Sequence, residues 1–186
     1  MVKEIQEALD ENKHVMGLFL DLSKAFDSVN HQKLLTILQE CGIQGKDLSW
    51  FISYVIGRKQ FVQVKEAISG VIDVSCGVPQ GSILGPILFI VYINDIMNLQ
   101  LRGKQIVYAD DTNLLYVSDT EEGNISSILN DLACLEDWLT NKHLTLNLKK
   151  TVIVNFQSDR KISSCPKLIF KSHELISADS VSWSAS

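Results

Sequence analysis

Paired cysteines, a basic excess and long apolar runs are all missing from this chain of 186 residues. Cys41, Cys76, Cys134 and Cys165 are scattered, with no CxxC and no paired Cys/His spacing, so neither a zinc site nor a disulfide framework is indicated. Reduced thiols in an intracellular protein are the expectation. The formal net charge is −5. A chain of that charge has no general attraction for nucleic acid, which argues against a free-standing, non-specific nucleic-acid binder but leaves room for a local basic surface. No run approaches the roughly 18 apolar residues of a membrane span, and there is no basic-then-apolar leader, so a soluble protein without a membrane partner is expected. Internal repeats and long linkers are also absent.

What is present is a core: 46% of the residues are hydrophobic, enough for a packed domain with or without an appendage. The chain opens directly in a helical pattern, with Ile5, Ala8 and Leu9 on one face, as expected of a piece cut from something longer. His14 to Leu20 is a short, mostly apolar run that fits a strand buried on both faces, with Asp21 at its end. After a tight polar connection, Asn30 can cap a helix from His31 to about Glu40, and a second helix is expected from about Lys46 to Ile56. Asp27 reads as a turn or cap residue.

Arg58 to Val64 and Ile68 to Val74 alternate polar and apolar residues and should pair as an antiparallel hairpin. Next comes Cys76-Gly77-Val78-Pro79-Gln80-Gly81-Ser82, a rigid, open loop whose backbone can approach a ligand, or simply a connector. Ser82 can cap the apolar helix that follows, with Pro86 in its first turn. Ile106-Val107 and Asn113 to Val117 flank Tyr108-Ala109-Asp110-Asp111 as strand, polar tip and strand. Adjacent carboxylates at an apolar hairpin tip repel each other and lose hydration, and a divalent metal is the strongest compensation; Asp is also an ordinary turn residue. A long amphipathic helix is expected from about Thr120 to Lys142. Leu144 to Thr151 then enters a strand, Val152 to Phe156. Lys167 to Phe170 is a weaker strand candidate, and Ser177 to Ser186 offers little to pack.

Taken together, these blocks resemble the reverse transcriptase of non-LTR (LINE-type, jockey-like) retrotransposons. The carrying residues are Phe19-Leu20-Asp21-Leu22-Ser23-Lys24-Ala25-Phe26-Asp27, Gly57-Arg58-Lys59-Gln60-Phe61-Val62, and Cys76 to Ser82 continuing to Asn94-Asp95-Ile96. They are followed by Tyr108-Ala109-Asp110-Asp111 and Leu146-Asn147-Leu148-Lys149-Lys150-Thr151. The resemblance implies an α+β polymerase palm, a split βαβ arrangement whose antiparallel sheet is backed by helices. Residues 1–156 would hold the palm with partial fingers, and residues 157–186 a degraded or truncated palm end with the thumb missing. In place of the primer-grip block of the family stands Ser180-Val181-Ser182-Trp183, and Tyr108 stands where many relatives have Phe.

The implied function is RNA-directed DNA polymerase, transferring a nucleotide from dNTP to a DNA primer 3′-hydroxyl on an RNA template. Two Mg²⁺ ions, with Mn²⁺ as an alternative, would be held by Asp21, Asp110, Asp111 and the Leu22 backbone carbonyl. The resemblance further places Phe26 under the incoming sugar, Gln80 and Gly81 at the nucleotide, and Lys149 or Lys150 near the triphosphate. Arg58, Lys59 and Tyr108 fall on nucleic acid. Remaining fingers, thumb and endonuclease regions of a full-length element protein are implied partners, in cytoplasm and nucleus. The competing class is a catalytically dead retroelement relic that at most binds nucleic acid or a partner. An RNA-dependent RNA polymerase shares the palm but not the sugar filter expected of Phe26. A palm lacking its neighbours is also expected to expose apolar surface and to self-associate.

Overall fold

A computed structural model of the chain describes residues 1–108, 111–157 and 167–179. Along the chain run helix α1 (Val2–Asp10), strand β1 (His14–Leu20), and helices α2 (His31–Glu40) and α3 (Gly45–Val55). Four short strands follow, β2 (Lys59–Gln60), β3 (Gln63–Val64), β4 (Ala67–Ile68) and β5 (Ile72–Asp73), then helix α4 (Leu84–Ile93). Strands β6 (Lys104–Tyr108) and β7 (Asp111–Ser118) lead into helix α5 (Glu121–Asn141). The last strands are β8 (Val152–Phe156), β9 (Ile169–Phe170), β10 (His173–Glu174) and β11 (Ile176–Asp179). No helix among the described residues is long and apolar enough to cross a membrane.

The chain divides into two compact units. The first comprises Met1–Ser23, Met97–Thr140 and Thr145–Ser186, and is built on a five-stranded sheet in the order β11-β8-β1-β7-β6. β1 lies at its centre, antiparallel to both β7 and β8, which explains its apolar run: Val15, Met16 and Leu18 are completely buried. α1 seats Ala8 against Val15 and Leu115, with Ile5 and Leu9 packed beside them. α5 buries Ile128, Leu132, Leu135 and Leu139 at helical spacing, and is tied to β1 by a bond from Asn124 Nδ2 to the His14 carbonyl (2.9 Å). A buried carboxylate completes the unit. Asp131 on α5 accepts bonds from the backbone of Arg102 (3.1 Å) and Gly103 (2.9 Å) and from the Tyr116 hydroxyl (3.1 Å).

The second unit comprises Lys24–Ile96 and Asn141–Leu144. α2 begins at the expected cap: Asn30 Oδ1 accepts a bond from Lys33 N at 3.0 Å. Asn30→Ala leaves that amide without its partner and is expected to lower stability by about 1 kcal/mol, read as a shifted urea midpoint. An unchanged midpoint would show that the cap contributes nothing. α4 is apolar around most of its circumference, and Leu88, Phe89, Tyr92 and Ile93 are buried. The Tyr92 hydroxyl donates to the Lys142 carbonyl, and Lys142 Nζ pairs with Asp95 at 2.8 Å.

The structure departs from the sequence expectations in two places, the hairpin after α3 and the segment from Ile176. The hairpin between Arg58 and Val74 forms as two short ladders, Lys59 to Gln60 against Ile72 to Asp73 and Gln63 to Val64 against Ala67 to Ile68. Between them the Ser69 hydroxyl accepts the Val62 N–H at 2.8 Å, a side-chain bond where a continuous ladder would place a backbone one. Leu144 to Thr151 leads into β8, Val152–Phe156, as expected. Leu146 makes a single bridge to Leu22, and the chain then turns through Asn147, whose carbonyl accepts the amides of Lys150 (3.0 Å) and Thr151 (2.9 Å). Finally, Ile176 to Asp179 does find a packing partner: β11 joins the edge of the sheet parallel to β8. The segment carries no periodic signal, and a backbone ladder pairs it with β8.

Candidate active site

Of the residues singled out from sequence, Asp21, Leu22, Tyr108 and Asp111 lie at one end of β1 and β7. The antiparallel register pairs Leu20 with Thr112, so the next rung carries Asp21, just past the end of β1, and Asp111, the first residue of β7. On the other side of β7, Asp111 pairs with Tyr108. Asp110 lies outside the described residues, as do Ser158 to Pro166 and Ser180 to Ser186, the last including the segment in place of a primer grip. Among the described residues, no group of three or more His, Cys, Asp or Glu side chains comes together as a metal cage.

Asp21 is held from both its backbone and its side chain. Asn147 N donates to the Asp21 carbonyl (2.8 Å) and Asn147 Nδ2 to Asp21 Oδ2 (2.9 Å). Ser23 N donates to the Thr145 carbonyl at 2.8 Å, so these two backbone bonds flank the Leu22–Leu146 bridge. In such a pair the carbonyls alternate in direction, and the Leu22 carbonyl therefore points away from the Leu146 strand. The half-buried Asp21 carboxylate, with one oxygen oriented by an amide, and this carbonyl are hard oxygen donors of the class Mg²⁺ takes. The donor chemistry at this strand end fits the ion. Lys149 and Lys150 follow in the turn that Asn147 starts, both exposed.

The remaining candidates lie in the second unit. Phe26 sits in a single 3-10 turn, Ala25–Ser28, and its ring contacts Phe89 of α4, with centroids 4.8 Å apart and planes tilted by 38°. Gln80 donates through Nε2 to Asp27 Oδ1 at 2.8 Å, and Gly81 has φ +76. The Ser82 hydroxyl accepts Gly85 N at 3.0 Å and donates to the Pro79 carbonyl at 2.7 Å, the capping role expected of it. Arg58 lines a cavity of about 660 Å³ together with Lys24, Asp27, Gln60, Asp73 and Gln80. Lys59 is exposed and faces Asp73 at 3.9 Å, which offsets part of its charge.

Comparison with known proteins decides the family. The model described as "Reverse transcriptase (RNA-dependent DNA polymerase)" matches residues 1–182. The chain belongs to the reverse transcriptase family. It is 31% identical over 165 residues to the probable RNA-directed DNA polymerase from transposon X-element of Drosophila melanogaster, covering 87% of this chain and 18% of that protein. It is 29% identical over 168 residues to the RNA-directed DNA polymerase from mobile element jockey of the same fly, covering 86% of this chain and 18% of the relative. The reverse transcriptase chain thus spans about a fifth of the length of these curated relatives, which are polymerases of non-LTR retrotransposons.

Among solved structures, telomerase from Candida tropicalis with a fragment of telomeric RNA superposes with a TM-score of 0.62, covering 91% of this chain and 30% of that one. A second structure of that telomerase, truncated from its C-terminal domain, gives 0.59 over 86% of this chain. At 13% and 14% identity these likenesses show the fold, a polymerase palm.

Three residues with a place at these sites escaped the sequence reading. Asn147 lies in the Leu146–Thr151 block beside Lys149 and Lys150, and its partnership with Asp21 spans 126 positions of sequence. Asp27 reads locally as a cap or turn residue, yet it holds Gln80. His31 reads as the first residue of a helix, yet its ring is buried against the Gly77 carbonyl. Each bond joins distant segments, so no local pattern announces it.

Proposed function

We propose that this chain is the palm of an RNA-directed DNA polymerase of a non-LTR retrotransposon, extending a DNA primer 3′-hydroxyl with dNTPs on an RNA template. The observation that carries this reading is the register that sets Asp21 and Asp111 on adjoining strand ends, with Asn147 holding Asp21. Reverse transcriptases generally use divalent metal ions. Two Mg²⁺ ions would be held by Asp21, Asp110, Asp111 and the Leu22 carbonyl, with Mn²⁺ able to substitute; when bound, they stabilise charge on the attacking and leaving oxygens.

The chain's own residues supply orientation. Asn147 fixes the carboxylate of Asp21 in one direction, which spares reorganisation during the reaction. Phe26, braced by Phe89, is the sugar filter that rejects a ribose 2′-hydroxyl, and Gln80 and Gly81 contact the nucleotide. Lys149 or Lys150 brings positive charge to the triphosphate. Arg58, Lys59 and Tyr108 meet the nucleic acid, where phosphate contacts supply most of the affinity. Residues 1–156 form the palm with part of the fingers; fingers, thumb and endonuclease regions of the element protein are its partners.

The test is primer extension on poly(rA) with an oligo(dT) primer and Mg²⁺, comparing dTTP with UTP. Incorporation of dTTP, with UTP at least about a hundredfold poorer, is the expected result. A preference for UTP would make the chain an RNA polymerase. Silence that persists after fusion to the fingers and thumb of a relative would favour the non-catalytic relic.

A further inference from the structure

We infer that His31 is a positioning residue for the nucleotide site: its buried imidazole clamps the Gly77–Gln80 loop onto the Phe26–Val29 turn, and so sets Phe26 and Gln80 relative to each other. This rests on the reading of Phe26 and Gln80 as nucleotide-facing residues. His31 is 4% exposed, and its Nε2 lies 2.8 Å from the Gly77 carbonyl. A carbonyl only accepts, so Nε2 carries the proton and the tautomer is set by this bond. The bond is buried, which makes it worth more than one on the surface.

Around it the two segments are joined at several points. Gly77 N donates to the Val29 carbonyl at 2.8 Å, and Val78 N to the Phe26 carbonyl at 2.9 Å. Asn30 and Cys76 form an isolated bridge, and Gln80 Nε2 reaches Asp27 Oδ1 at 2.8 Å. Gly77 has φ +86, and a Cβ there would stand 2.9 Å from the Asp27 backbone. Only glycine allows so close an approach in that conformation. The Asp27–Gln80 bond is exposed and weak alone; the buried His31–Gly77 bond holds the loop where Gln80 can make it.

Three variants act on this clamp in different ways. His31→Leu removes the donor and keeps bulk, whereas His31→Gln keeps an amide donor at similar reach. Gly77→Ala forces the loop off the turn without touching the imidazole. On the full chain, dTTP and UTP binding in Mg²⁺ is measured by equilibrium dialysis, together with hydrogen exchange at the Gly77 and Val78 amides. His31→Leu and Gly77→Ala are expected to weaken dTTP binding about tenfold and to bring the dTTP-to-UTP ratio towards one, with His31→Gln close to the wild type. Exchange at Val78 should accelerate at least about tenfold in His31→Leu and Gly77→Ala only. A His31→Leu chain that keeps the wild-type exchange rate, affinity and sugar ratio would overturn the inference. Should the wild-type chain bind neither nucleotide, the nucleotide-site reading falls on that result, and with it the positioning role; the exchange rates alone then decide whether the clamp exists.

Discussion

Asp21→Asn lowers dTTP incorporation by on the order of 10³-fold, and Asp110→Ala by at least as much, in the primer-extension assay. The asparagine is nearly isosteric, and its amide oxygen can still accept the bond from Asn147 Nδ2, so the strand end keeps its geometry and loses only charge. A loss of that size with an unchanged circular dichroism spectrum identifies the carboxylate itself as the working group. Asn147→Ala does the converse: the charge stays and the orientation goes, and a smaller loss, on the order of ten- to a hundredfold, is expected. Extension by Asp21→Asn within tenfold of wild type would remove Asp21 from the metal site and the register argument with it.

Asp131→Ala is expected to cost about 3–5 kcal/mol of stability. Its carboxylate accepts from two backbone amides and a buried phenol, and truncation takes the partner from all three donors. Urea unfolding measures it; a loss under about 1 kcal/mol would show that water or a neighbour replaces the carboxylate. The same cluster has a pH signature. Burial first, then the charge and hydrogen bond of Asp131, hold the Tyr116 hydroxyl far above the ordinary tyrosine range. An unfolded tyrosine releases its proton near pH 10, roughly, so above that pH the unfolded chain binds fewer protons than the folded one, and stability falls as pH rises. Tyr116→Phe should flatten that alkaline decline relative to the wild type, whereas equal slopes above pH 10, roughly, would place the phenol outside the cooperative core.

Much of this molecule is legible from one-dimensional patterns. The apolar run His14 to Leu20 announces a strand buried on both faces, and β1 is the central strand of the sheet. Asn30 announces a cap, Ser82 another, and the spacing of Ile128, Leu132, Leu135 and Leu139 announces α5. These signals are local: burial periodicity and capping depend on neighbours within a turn or two. Ahead of β8 the chain turns at Asn147, whose carbonyl accepts two amides and whose side chain is committed to Asp21. At Ile176 to Asp179 a segment without periodicity becomes β11 because the edge of β8 offers it a backbone ladder.

The amino-acid order alone determined the chemistry available: hard carboxylates at strand ends, an aromatic beside them in sequence, a Gly-Pro loop bearing Gln80, and the family to which they belong. Tertiary structure decided which of those groups are held and by what. Asn147 on Asp21, Asp27 on Gln80 and His31 on Gly77 join residues 126, 53 and 46 positions apart. Such bonds form only once strands and helices have brought distant backbone together, and a hydrogen bond between remote side chains leaves no period in the sequence to read.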